Sequence, residues 1–276
     1  MHVLLSGIVG STAYGLAHAG SDLDRLGLFA APTTAFHGLH RPAESHVTTR
    51  PDRTLHEAAK WCRLALSGNP TASELVWLPA ELYEVRTPLG EELIGLREAL
   101  LCGPAVRSSY LGYAGQQFRK LTARDRTDPA GRARAAKHAR HLVRLVRQGV
   151  ALHETGRLEI RLPDPEHVRA LGERYADRPE DATALLADAE TRFDRPGVLP
   201  AAPDERPVEA WLQRVRTAHL PRPDHPPPPV ANPRDPPGNP LLLPHRAPGR
   251  ITPAGALPPG PRLPRAASSI GRAADF

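Results

Sequence analysis

Two short pieces of the chain hold the residue types that phosphoryl chemistry needs. Gly10-Ser11 closes an apolar run over residues 3–9 (VLLSGIV), and Asp22-Leu23-Asp24 begins eleven residues after Ser11. A Gly-Ser pair where a strand gives way to a helix presents backbone N–H groups and a hydroxyl to a phosphate. The glycine lets the backbone approach closely, and the helix dipole favours negative charge there. Two aspartates separated by one residue on a strand point to the same face. Carboxylates held that close repel each other unless a cation lies between them. Mg2+, which takes oxygen ligands and bridges phosphates, suits the position, with Mn2+ as the substitute. Such a cradle beside a two-carboxylate site is the equipment for in-line attack on phosphorus: one metal activates the attacking oxygen and another stabilises departing pyrophosphate. Singly, each motif is common; joined in this order they are specific.

The elements that must position these residues follow from periodicity. Residues 3–9 read as a buried strand, residues 12–20 as a short helix, and Leu23 to Ala30 as a second strand closed by Pro32. A short strand at His46–Thr49 and a third main strand at Arg53–His56 lead into a helix from Glu57 to Leu66. Its apolar stripe is Ala58, Trp61, Cys62 and Ala65. Ser67-Gly68-Asn69-Pro70 stops that helix, and Thr71 with Glu74 reads as a capping box for the next. Gly90–Leu101, Pro104–Arg124 and Gly131–Glu154 are helical in pattern. A turn and small strand over 155–162 follow, then helices near 165–175 and 179–192. The expected fold class is α+β. An α/β N-terminal catalytic part over 1–100 precedes a mostly helical extension over 101–220 and a disordered Pro-rich tail over 221–276.

The order strand, Gly-Ser, helix, DxD, strand resembles the nucleotidyltransferases of the DNA polymerase β superfamily, with Gly10, Ser11, Asp22 and Asp24 in the motif places. Arg25 stands where an apolar residue is usual. More narrowly, GSTAYGLAHAGSDLDRLGLFAAPT, KWCRLALSGNPTASELVWLP, YLGYAGQQFRKL and KHARHLVRL are similar to the RNA-ligase-associated, YcgL-type nucleotidyltransferase family, from about Val3 to Tyr175. The resemblance implies a minimal catalytic sheet with a helical extension, using Mg2+ and a nucleoside triphosphate (NTP). It also implies a third carboxylate on the next strand, a metal ligand that can act as base. Asp52 and Glu57 are the two candidates. Asp52 is placed first, because Glu57 has a second reading as an acid favoured by a helix N-terminus.

Lys137, His141, Arg144 and Gln148 are spaced +4, +3, +4, one polar line along a helix. Composition alone reads that line as a solvated basic face. The resemblance covers Lys137, His138, His141 and Arg144, and makes Lys137 and Arg144, with His141, nucleotide-binding candidates that neutralise a triphosphate opposite the metal. His138 has a packing alternative. Asn69, Pro70 and Glu74 are also similar to a family motif but form a complete helix-stop and cap. Tyr113, Gln116, Gln117 and Lys120 lie on a helix that has both a packing and a base- or acceptor-contacting reading. Trp61 and Trp77 read as core.

The remaining bounds come from composition. No run approaches the ~18 apolar residues of a membrane span. Cys62 and Cys102 cannot make a disulfide framework or a Cys-rich zinc site and read as reduced core thiols of a cytoplasmic protein. The formal charge of +6 suits nucleotides or RNA without specifying either. Of 32 prolines, 17 fall in residues 221–276, a stretch with no aromatic residue except Phe276, so no packed core is expected there. A kinase loop of the Gly-x4-Gly-Lys-Ser/Thr type is absent from the sequence. The expected activity is therefore metal-dependent transfer of a nucleoside monophosphate (NMP) from an NTP to the hydroxyl of an RNA end, a protein or a small molecule. The rival is a nucleotide- or RNA-binding module without turnover.

Overall fold

The computed structural model describes residues 1–125 and 127–221; the expectation for the Pro-rich tail falls, from residue 222 on, outside the described residues. Five strands form one mixed sheet in the order β3-β4-β2-β1-β5. These are β1 (His2–Ile8), β2 (Arg25–Ala30), β3 (Ser45–Thr49), β4 (Asp52–Glu57) and β5 (Tyr83–Arg86). β2 and β4 run parallel, and the other neighbours are antiparallel. Interleaved with the strands are α1 (Gly10–Tyr14), α2 (Ala58–Leu66), α3 (Pro70–Glu74) and α4 (Pro88–Gly95). The long pair α5 (Gly103–Thr122) and α6 (Pro129–Thr155) follows, then α7 (Pro165–Asp177), α8 (Ala182–Phe193) and α9 (Glu205–Ala218). The α/β start and helical continuation expected from the sequence are thus present.

Period two sorts the sheet's two faces. Leu26, Leu28 and Ala30 of β2 enter the large core with Trp61, Leu142 and Leu145 from the helices. Phe29, Ala31 and Leu55 form a separate small cluster with Val3 and Phe36 on the other side. α2 forms because its stripe of Ala58, Trp61, Cys62 and Ala65 is buried as the sequence requires. α5 and α6 pack along their lengths, and α7 lies against α6.

Several boundaries differ from expectation, each for a local reason. α1 spans five residues rather than residues 12–20, because Gly15 turns left-handed (φ 78°) and closes the helix through N–H bonds to Ser11 and Thr12 carbonyls. β2 starts at Arg25, so Asp22 and Asp24 lie in the connection just before the strand rather than on it. Asn69, not Thr71, caps α3: its side chain accepts from the Ala72 N–H with Pro70 in the first turn, so no Thr71–Glu74 capping box forms. Residues 156–162 make no strand. Leu158, Ile160 and Leu162 are buried in alternation, but the Glu159 and Ile160 carbonyls accept from the Gln148 side chain and the Leu162 N–H donates to the Tyr14 carbonyl, not to a neighbouring strand. β5 and α9 were not anticipated, although Val208, Trp211 and Val215 of α9 are buried at helical spacing.

Candidate active site

The strand-to-helix turn after β1 lies against the connection that enters β2. Val9 N–H donates to the Asp24 carbonyl at 3.0 Å, continuing the β1–β2 ladder beyond Ile8 and Arg25. Gly10 has φ +69°, and a Cβ there would come within 2.2 Å of the Asp24 Oδ2. Only glycine allows both that backbone conformation and that approach. The Gly-Ser turn and the second aspartate therefore share one small volume. Arg25, the departure from the motif's apolar place, is half-buried and pairs with Glu84 of β5 at 2.8 Å across β1.

The parallel register of β2 and β4 distinguishes the two candidates for a third carboxylate. Arg25 is opposite Arg53, so one step earlier brings Asp24 beside Asp52. Neighbouring strands are about 4.8 Å apart. The two charges interact: burial holds the Asp24 carboxyl above its usual value, Asp52 and Asp22 add to the rise, and Lys137 opposes it. Glu57 lies five residues further along β4, opposite Phe29 and about 16 Å away. It is an odd position where Asp52 is even, so it points to the other face. There it is 3% exposed, caps α2 by accepting from Ala59 N–H, and takes two bonds from Arg216 at 2.6 and 3.0 Å. Arg216 in turn stacks on Phe36 of that second face. Asp52 is thus the acid brought to Asp24, and Glu57 is engaged elsewhere as a structural ion pair.

α6 brings its polar line to the same place. Lys137 is exposed and near enough for its charge to act on Asp24. His141, one turn on, is half-buried. Desolvation, with Arg144, Lys137 and further cations behind it, pushes this imidazole down to about 3, so it is neutral. Arg144 is only 5% exposed and points into the core. Its Nη1 donates to Glu74 and to Gln148, each at 2.7 Å, and its guanidinium lies 4.2 Å from the centre of the Tyr14 ring. The Tyr14 hydroxyl donates to both Glu74 oxygens, at 2.6 and 2.7 Å. Arg144 is therefore a buried tie behind the site, whereas the sequence reading had it facing phosphate. Spacing alone does not distinguish the two, because a helix line carries no depth. His138 bonds Gln117, and the Tyr113 hydroxyl accepts from Asn69 at 2.8 Å, which ties α5 to the start of α3. Gln116 is exposed, and Lys120 and Gln117 are half-buried. Trp61 is wholly buried and Trp77 packs against the core, as read from the sequence.

A family model described as the RNA repair pathway DNA polymerase beta family matches residues 1–222. The chain belongs to that family. No curated protein matches the chain. Members of this RNA repair pathway DNA polymerase beta family are expected to be nucleotidyltransferases, a class that uses divalent metals and NTPs. The donor chemistry here fits such an ion: hard carboxylate oxygens of Asp22, Asp24 and Asp52, with mutual repulsion at Asp24 that a cation would relieve. Among the described residues, no three or more His, Cys, Asp or Glu side chains are gathered closely enough to form a complete cage. Mg2+ does not require one, since it binds one or two carboxylates and completes its shell with substrate phosphates and water. Among the described residues no helix is long and apolar enough to cross a membrane.

Two residues at this site were given no role from sequence. Tyr14 was only the tail of the Gly-Ser motif, and Gln148 only the last member of a polar line. Their one signal is a polar or phenolic group at an otherwise core-facing helical position, which becomes meaningful only once Glu74 and Arg144 are seen to be buried beside them.

Proposed function

We propose that this chain moves an NMP from an NTP to an acceptor hydroxyl with release of pyrophosphate, the acceptor being an RNA end. One observation carries the reading: the Gly10–Ser11 turn, Asp22, Asp24, Asp52 and Lys137 converge although they come from four segments of the chain. Gly10 and Ser11 would cradle the triphosphate, with Lys137 and the neutral His141 on its other side. Asp24 and Asp52 would hold the metal directly, with Asp22, the remaining carboxylate of the set, acting through water. A bound Mg2+ (or Mn2+) supplies charge neutralisation of the phosphates and acidifies the acceptor hydroxyl. Asp52 accepts the proton of that hydroxyl as its oxygen attacks the α-phosphorus and the bond to pyrophosphate breaks. Residues 1–100 act as the catalytic module, and 101–220 add the α6 wall of the nucleotide site. The family description supports RNA as acceptor. Two free, buried cysteines fit a cytoplasmic setting.

The test is to incubate the protein with each α-labelled NTP, Mg2+ and RNA oligonucleotides bearing a free 3′-hydroxyl. Label should move to RNA in the wild type and not in the Asp22→Asn, Asp24→Asn double variant. Equal labelling by both proteins would overturn the reaction. Label on protein in place of RNA would overturn the acceptor, and nucleotide binding without pyrophosphate release would favour a binding module.

A further inference from the structure

The core behind the site contains an ionic cluster that packing alone does not require. Glu74 is 1% exposed, Arg144 5%, and Tyr14 and Gln148 are buried with them. Apolar side chains of similar volume commonly give equal or greater stability than a buried ion pair. The cluster does connect parts that sequence leaves independent. Tyr14 is on α1, Glu74 on α3, and Arg144 and Gln148 on α6, and Gln148 Nε2 donates to the carbonyls of Glu159 and Ile160.

Its two ends lead to the reacting centre. Tyr14 is four residues beyond Gly10, on the same five-residue helix, and the Gly10 backbone abuts Asp24. A helix that short does not hold itself, and its first residue lacks a side-chain cap. Neighbours hold it instead: Glu74 through the Tyr14 hydroxyl, and Arg169 of α7 through the Gly15 carbonyl at 2.7 Å. At the other end, Arg144 is three and seven residues beyond His141 and Lys137 on one helix face, and Lys137 acts on Asp24. The Asp24 charge also reaches Glu74.

We propose that Tyr14, Glu74 and Arg144 are positioning residues, a single buried carboxylate fixing the Gly10–Ser11 turn and the Lys137 face of α6 in one frame. This rests on the transferase reading above. In-line attack tolerates little displacement, and misplacement by about 1 Å costs on the order of 10²-fold in rate, whereas ground-state binding of a flexible triphosphate tolerates more. The cluster therefore acts on turnover more than on affinity.

Two variants test this, Tyr14→Phe, which keeps the ring over Arg144 and removes only the hydroxyl, and Arg144→Lys. Pyrophosphate release is measured against NTP concentration at equal folded fraction, checked by thermal melting. For both variants kcat falls about 10- to 100-fold, with KM for NTP held within about threefold. Wild-type kcat in Tyr14→Phe would overturn the proposal. So would a rise in KM alone for Arg144→Lys, which would make Arg144 a phosphate contact. Amide hydrogen exchange supplies a readout independent of the reaction. The Gly15 and Leu16 N–H groups, which close α1 on Thr12 and Ser11, should exchange faster in Tyr14→Phe while α5 amides do not change. Unchanged protection there overturns the positioning role. Faster exchange in a protein whose wild type releases no pyrophosphate supports the hold on α1 and overturns the transferase reading instead.

Discussion

Asp52→Asn and Glu57→Gln should have opposite consequences, although both replace an acid on β4 by its amide. Asp52 is partly exposed at the strand's start, beside Asp24, and its charge raises the Asp24 carboxyl. Two unit charges about 4.8 Å apart repel by about 1 kcal/mol in a water-like surrounding, the appropriate limit for half-exposed groups. Removing one charge should leave stability unchanged or raise the melting temperature by about 2–4 °C for a domain of this size. Losing the metal-holding base should lower pyrophosphate release by about 10²- to 10⁴-fold. Glu57 is 3% exposed and bonded twice to Arg216. Breaking such a buried pair costs roughly 3–5 kcal/mol, and about 2–3 kcal/mol where an amide keeps one acceptor. The melting temperature of Glu57→Gln should fall by about 5–10 °C, while the molecules that remain folded keep their turnover. The assays are differential scanning fluorimetry and coupled pyrophosphate detection at a temperature well below both transitions. Normal turnover in Asp52→Asn, together with loss of activity at full stability in Glu57→Gln, would refute the face assignment.

Gly10→Ala should lower transfer at least 10²-fold, because the new Cβ would lie 2.2 Å from Asp24 Oδ2 at a positive φ; retained turnover would contradict the close approach. Asp24 titrates higher in the fold than its ordinary 3.8. Between those values the fold holds the extra proton, so stability declines as pH rises through the window and the penalty is complete above it. Asp52→Asn should flatten that decline in a melting series across pH 3–7. Because a ligand of the folded state stabilises it, millimolar Mg2+ at neutral pH should raise the wild-type melting temperature but not that of Asp24→Asn. His141 behaves in the opposite sense. Held neutral down to about 3, it contributes stability that is present above its ordinary 6.5 and lost as pH falls toward 3. His141→Gln should shrink the acid loss in chemical denaturation at pH 4 relative to pH 7.

The parts of the site legible in the sequence are those that local chemistry dictates. Gly10-Ser11 had to follow a strand, and the alternation of Leu26, Leu28 and Ala30 announced the strand after the DxD pair. The α2 stripe was readable for the same reason. Depth was not legible. Lys137 and Arg144 share a helix line, yet one is exposed and the other sits in the core, because α6 sinks toward Glu74 as it runs. Asp52 and Glu57 are both acids near one strand, and only the β2–β4 register, a tertiary fact, decides which meets Asp24. The short extent of α1 depended on the left-handed Gly15 and on Arg169 from α7, 154 residues distant.

The most direct test of the central claim is Mg2+-dependent pyrophosphate release from NTP in the presence of RNA, compared between wild type and Asp24→Asn. The account predicts steady release by the wild type, abolished by chelation and reduced to background in the variant, with both proteins melting as folded domains. Equal release by the two proteins, or none from a folded and nucleotide-bound wild type, would contradict it.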